Sequence, residues 1–230
     1  MPHAPAVIGV DGCPGGWIGA QVDADGRVRW QVLPLDLDVG QLAKQSDAVA
    51  VDIPIGLPTS GYRRADVAAK QRLGYSAASR VFFTPVRAVL RANTYTDACT
   101  IARRETGKAM SKQTWAIVPR IRAVDEAMTA GLQDRVVEAH PEVSFRVMSA
   151  AVMDGKKTGR GVGQRLAALR NLVDIAAALE DAPARIPLDD LLDALACAWT
   201  ARRWSSGQAE SLPDGAEEYD ARGLRMRIVA

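Results

Sequence analysis

Histidine is almost missing: the 230 residues hold two, His3 and His140. A histidine-rich metal site is therefore excluded, and a Ser-His-Asp or Cys-His enzyme would have to rely on His140. Cysteine is nearly as scarce. Cys13, Cys99 and Cys197 are too few and too scattered for a disulfide framework or a zinc knuckle. Neither the G-x-x-x-x-G-K-[ST] phosphate loop nor G-x-G-x-x-G occurs. No apolar run reaches about 18 residues, so neither a membrane-spanning helix nor a membrane partner is expected. The opening Met-Pro-His-Ala-Pro lacks the basic and long apolar regions of a secretory signal, and the expected compartment is the cytoplasm. What chemistry there is must come from carboxylates, backbone groups, lysine and arginine.

The residues that are present suit an ordinary folded domain. Hydrophobic residues make up 48% and charged residues 24%, which excludes disorder throughout and predicts a single domain over residues 1–230. Net charge is only +2, but it is unevenly spread. Arg63, Arg64, Lys70, Arg72, Arg80, Arg87 and Arg91 are accompanied between Gly61 and Thr96 by one acid, Asp66. Lys156, Lys157, Arg160, Arg165 and Arg170 have no acid among them, whereas Glu210 to Asp220 is purely acidic. Two basic patches can hold a polyanion, or they can be solvated helix faces; charge alone leaves both open.

Periodicity and turn signals predict strands at Ala6–Val10, Trp17–Val22, Arg27–Leu33, Asp47–Ile53 and Asp134–Ala139, with a late edge strand over Leu224–Val229. Asp38–Gln45 reads as a short helix, Gly159–Glu180 as a helix, and Pro187–Arg203 as a strong one. Residues 62–131 read as a helical insertion broken at Gly74, Thr84-Pro85, Gly107 and Pro119. The glycines after the first strand, Gly12, Gly15 and Gly16, are best read as closing a hairpin rather than cradling phosphate. The order predicts an α/β fold: a mixed sheet with helices on both faces.

Acids stand where such a fold should exclude them. Asp11, Asp52 and Glu138 lie in or at the end of apolar strand runs. A central strand is covered on both faces, so an ionised acid there is costly unless paired or metal-bound. In the helix from Pro187, Leu188, Leu191, Leu192, Leu195 and Trp199 share one face; Asp190, Asp193, Ala194, Cys197 and Ala201 form the other. That second face is small and nearly apolar, so it too is expected to be covered. Asp189 and Asp190 complement the helix dipole in the first turn, but Asp193 is a turn further in. Converging acids repel one another, and one or two Mg²⁺ or Mn²⁺ ions, which prefer oxygen ligands, would relieve that. The alternative is that each acid is satisfied separately by arginine or backbone N–H.

Five ordered motifs add a resemblance. Gly9-Val10-Asp11-Gly12-Cys13-Pro14-Gly15-Gly16-Trp17, Val51-Asp52-Ile53-Pro54-Ile55-Gly56-Leu57-Pro58, Val81-Phe82-Phe83-Thr84-Pro85, Glu138-Ala139-His140-Pro141-Glu142 and Asp189-Asp190-Leu191-Leu192-Asp193-Ala194-Leu195 resemble the domain-of-unknown-function family 429. Members are regarded as predicted nucleases with an RNase H-like fold, a five-stranded mixed sheet flanked by helices. The last helix is also similar, over a shorter stretch, to that of RuvC-type Holliday-junction resolvases. The resemblance implies acids on the first strand (Asp11), the fourth strand (Asp52) and the last helix (Asp190 and Asp193), with Glu138 a better candidate than Glu142 in the family's own motif.

These readings lead to a metal-dependent hydrolase of nucleic-acid phosphodiester bonds. Asp11, Asp52, Glu138, Asp190 and Asp193 would be both catalytic and metal-holding, while Arg63, Arg64, Lys156, Lys157 and Arg165 would bind the substrate. RNA or DNA is the expected partner, and a second copy of the chain is a candidate one. Two rivals remain: a nucleotide-binding phosphotransferase of the actin-like kinase type, and a non-catalytic nucleic-acid-binding module. His140 reads as a structural hydrogen-bonding residue before it reads as a proton carrier.

Overall fold

The computed structural model describes residues 6–151 and 153–230. Strand β1 (Ala6–Cys13) runs past the acid at Asp11 and turns through Pro14-Gly15 into β2 (Gly16–Asp23). Gly15 takes φ +86°, the left-handed backbone that a tight turn after proline requires. A second hairpin leads to β3 (Val28–Leu33), its turn closed by backbone N–H groups of Asp25 and Arg27 donating to the Asp23 carboxylate. Helix α1 (Val39–Lys44) is capped by Asp38, whose side chain accepts from the Gln41 N–H at 2.8 Å. Strands β4 (Ala48–Val51) and β5 (Val136–Glu138) complete a five-stranded sheet of order β3-β2-β1-β4-β5. The β1–β2 and β2–β3 pairs are antiparallel; β1–β4 and β4–β5 are parallel. This α/β arrangement is consistent with an RNase H-like one.

Between β4 and β5 lie α2 (Arg64–Leu73), α3 (Tyr95–Thr106) and α4 (Lys112–Ala127). After β5 come α5 (Pro141–Ser149), α6 (Gly159–Leu169), α7 (Ile175–Glu180) and α8 (Leu188–Ser205). Helices cover both sheet faces. Side chains of α8, with Phe145, Leu169 and Ala178 from α5, α6 and α7, pack on the face bearing Val7, Ala48, Ala50 and Val137. Helices α1 and α4 pack on the other, against Ile8, Val10, Val49, Val51 and Val136. Strand residues thus alternate between two cores with period two.

Three expectations need correction. Pro119 does not break its helix: α4 runs through it. The proline is exposed, while Val118, Ile121 and Val124 are buried and hold the turns on either side. The stretch 159–180 is two helices, because the Asp174 carboxylate accepts from the N–H groups of Ala176 and Ala177 and starts α7 afresh. The late strand shrinks to β7 (Ile228–Val229), antiparallel to β6 (Ser211–Leu212) and bridged by Val229 to Ala139 beyond β5. Among the described residues, no helix is long and apolar enough to cross a membrane.

Candidate functional site

The parallel register sets the site. Val10 pairs with Val51, so the next residues, Asp11 and Asp52, end up side by side at the carboxyl ends of β1 and β4, with the Asp52 N–H donating to Val10 O at 2.9 Å. Ligand sites of α/β sheets form at this end of the strands. Asp11 shares parity with Val7 and Cys13, and Asp52 with Ala48 and Ala50, so both point toward α8. Helix α8 can come very close because β1 has no side chain at Gly9. A Cβ built there would lie 2.0 Å from Ala198 N and 2.1 Å from Ala194 O. That contact sets Asp193, the residue before Ala194, over the two strand acids.

The electrostatics follow from this crowding. Burial pushes Asp11 well above the usual carboxylate range, and Asp52, Asp193 and Asp190 add to it. Asp52 is also raised, chiefly by burial, against the pull of His140 and of a hydrogen bond with the Asp11 carboxyl. Asp193 is pushed up to about 6 by burial, with Lys156 pulling against it. The Lys156 ammonium donates to Asp193 Oδ2 at 2.7 Å and lies 3.4 Å from Asp189. Burial disfavours its charge, but Asp193, Asp11 and Asp189 outweigh burial and hold it above its ordinary range. Among the described residues, the buried polar atoms without a hydrogen-bond partner include two around this cluster, Asp193 Oδ1 and His140 Nδ1. Asp190, half-buried at the rim, is raised by burial and Asp189 and opposed by Lys156, Lys157 and Arg120. The Cys197 thiol is pushed well up by burial and by Asp52, Asp11 and Asp193, so it is an uncharged filler one turn along α8. Among the described residues, no group of three or more His, Cys, Asp or Glu side chains stands arranged to hold an ion, and the Lys156 ammonium already pairs with Asp193.

The sequence model of the DUF429 family, described as a protein of unknown function, matches residues 9–218. The chain belongs to this family. No curated protein and no solved structure matches it. The matched span of this DUF429 member contains Asp11, Asp52, Asp190 and Asp193, together with Lys156, which pairs with Asp193.

Two of the residues expected at the site, Glu138 and Arg63, lie elsewhere, and a third, Arg165, is tied up beside it by Glu142, whose charge reaches Asp52 and Asp193. Glu138 pairs with Val51, which faces α1 and α4, so it points away from Asp52. There Arg63, 1% exposed, donates to both of its oxygens at 2.7 Å and to Asp66 at 2.6 Å. The Ile55 N–H also donates to Glu138 at 2.7 Å. One guanidinium serves two carboxyls, so burial leaves Glu138 pushed up to about 7. Neither Arg63 nor Glu138 is free to meet a substrate or an ion. Arg165, also 1% exposed, is tied to Glu142 at 2.5 Å and to the carbonyls of Asp154 and Gly161. Arg64 and Lys157 are exposed. Lys156 is brought into the acid cluster itself, as its counter-charge. Sequence reasoning missed Arg120: it donates to Cys13 O at 2.6 Å and to Gly16 O at 3.3 Å, pinning the turn beyond Asp11. Its sequence signal was its place, with Gln113 and Trp115, in a stretch that resembles the family, but no site role followed from that.

Proposed function

We propose that the chain is a divalent-metal-dependent nuclease or phosphodiesterase of the cytoplasm, acting on phosphodiester bonds of RNA or DNA. The observation that supports it best is the convergence of Asp11, Asp52 and Asp193 into one buried spot where their charges raise one another's proton affinity. The donor set is all carboxylate, which suits Mg²⁺ or Mn²⁺, and Asp193 Oδ1 is buried with a lone pair unused. Asp11, Asp52 and Asp193 would hold one or two ions, with Asp190 at the rim. A bound ion there would supply an acidified water and charge stabilisation on a phosphoryl oxygen. The side chains must first make room: Asp11 and Asp52 give up the protons that burial favours, and the Lys156 ammonium swings off Asp193. Freed, Lys156 is placed to pair with a substrate phosphate, and exposed Lys157 and Arg64 can contact the strand's backbone.

The test is incubation of purified protein with labelled RNA and DNA panels, with Mn²⁺ or with EDTA. Metal-dependent cleavage that is lost in Asp11→Asn and in Asp193→Asn is expected. No cleavage on any panel, or cleavage undiminished in both variants, refutes the reading. One observation favours the rival of a non-catalytic nucleic-acid-binding module: Lys156 already compensates Asp193 without any ion. Tight, salt-dependent binding with neither cleavage nor metal uptake would establish that rival.

A further inference from the structure

The motif Val81-Phe82-Phe83-Thr84-Pro85 plays no part in the acid cluster, yet it is held firmly. The Asp66 carboxylate accepts from the Thr84 N–H at 2.8 Å and the Thr84 hydroxyl at 3.1 Å, and Asp66 is itself held by Arg63. Lys70 donates to the carbonyls of Ala78 and Val81. This rigid loop presents aromatic surface that the core does not take up. Phe83 and Tyr62 stack on each other with centroids 4.1 Å apart, the Lys70 ammonium lies over the Phe83 ring 4.8 Å from its centroid, and both aromatics remain partly exposed to solvent. They border a cavity of 340 Å³ whose other walls come from the end of α3 and the start of α4. That volume is within the range of small-molecule sites, roughly 300 Å³ and above.

The lining is chemically selective. It includes Phe82, Phe83 and Met110 as apolar wall, Tyr62 and Gln113 as polar groups, and two lysines, Lys70 and Lys108, with no carboxylate. The Lys108 ammonium, the Tyr62 hydroxyl and the Gln113 carboxamide make no hydrogen bond among the described residues. They are therefore free for a ligand. Ser111, which also lines the cavity, caps α4 by accepting from the Thr114 N–H, so the positive end of a 16-residue helix faces the same space. Partly exposed aromatic surface, an amide able both to donate and to accept, and a cation at the rim match a planar heterocycle carrying an anion.

We propose that this cavity takes a nucleobase with its attached phosphate, the base against the Phe82-Phe83 wall and the phosphate toward Lys108. The proposal draws on the nucleic-acid reading above only in naming a strand as one source of that group; a free nucleotide is the other. Geometry favours the strand. Arg120 lies seven residues along α4 from Gln113, about 10 Å of helix, and it already touches the turn beyond Asp11 and offsets the charge of Asp190. One helix thus spans the distance from the cavity to the acids.

The experiment is fluorescence anisotropy on the full chain in EDTA. The probes are a labelled single-stranded octanucleotide and an abasic octamer of equal charge; adenosine and uridine monophosphates are tested separately by calorimetry. Phe83→Leu keeps apolar bulk but removes the ring face, and Lys108→Gln removes the cation. Thermal unfolding checks that each variant is folded. Expected are weaker binding of the abasic octamer and a loss of about fivefold or more in Phe83→Leu, with a reduced salt dependence in Lys108→Gln. Variant-sensitive binding of a monophosphate supports the site with a free nucleotide as the source; such binding by the octamer alone supports it with a strand. Equal binding of octamer and abasic octamer, unchanged binding in both variants, or no binding of any probe overturns the proposal. Cleavage without a Phe83→Leu effect sinks the cavity alone. Phe83-sensitive binding without cleavage sinks the hydrolase reading alone.

Discussion

Replacing Gly9 by alanine adds a single methyl group, and the structure predicts a severe effect. The new Cβ would lie 2.0 Å from Ala198 N, 2.1 Å from Ala194 O and 2.7 Å from Ala198 Cα. Ordinary carbon contacts are about 3.5–4.0 Å. All three obstructing atoms belong to the α8 backbone, so no side chain can rotate away. Either the helix lifts off the sheet by more than an ångström or β1 buckles. Overpacking typically costs about 1–3 kcal/mol, and a clash against two backbone segments belongs at or above the top of that range. For a chain of this size, about 3 kcal/mol lowers Tm by roughly 6–12 °C. The same displacement draws Asp193 away from Asp11, so Mn²⁺ uptake should weaken as well. Differential scanning calorimetry and Mn²⁺ titration of Gly9→Ala measure both effects. Gly12→Ala is the control: its Cβ would meet only the Arg120 side chain, at 3.3 Å, which can shift. A Tm for Gly9→Ala within about 2 °C of wild type would refute the close helix–sheet contact on which the site's geometry depends.

Three other perturbations test separate parts of the structure. Arg63→Ala leaves Glu138 and Asp66 buried without their shared guanidinium and should cost about 3–5 kcal/mol in urea denaturation; a change under about 1 kcal/mol contradicts the pairing. In EDTA, the raised acids Asp11, Asp52, Asp193 (about 6) and Glu138 (about 7) bind protons more tightly folded than unfolded. Their stabilising contribution is therefore complete below the ordinary carboxylate range and is lost as pH rises through these values. Urea denaturation should show stability falling from pH 5 to pH 8, less steeply in Asp193→Asn; a rise over that window would reverse the sign. Lys156→Met removes the ammonium that competes with a cation, so calorimetric Mn²⁺ affinity should rise about tenfold, equivalent to roughly 1.4 kcal/mol; unchanged or weaker affinity would show that Lys156 does not compete.

The sheet was readable because its strands are short apolar runs set off by turn residues, and Asp11 and Asp52 were readable because each ends such a run. Asp193 was readable because it follows the helix's first turn on a face otherwise made of alanine and cysteine. Glu138 misled for a reason that alternation makes plain. The residue of β5 that shares Val51's face is Glu138, whereas the neighbour of Asp52 is Ala139, and only the β4–β5 register decides between them. Arginine content was equally ambiguous. Arg63 and Arg165 read as surface cations by charge, yet each is itself buried and consumed by an acid brought from elsewhere in the chain, Glu138 and Glu142. Lys156 was assigned to a phosphate, but its loop folds onto α8, and no local pattern announces a contact 37 residues away.

All three thiols, at Cys13, Cys99 and Cys197, are buried and unbridged. In the resting fold they are closed to alkylating reagents, so each becomes a clock for the opening of its own region. Cys197 sits one turn beyond Asp193, and Cys13 at the end of β1. The rate at which a maleimide reaches them therefore counts how often α8 parts from the sheet. Any ion lodged between Asp11, Asp52 and Asp193 would slow that clock while leaving Cys99, on α3, ticking as before.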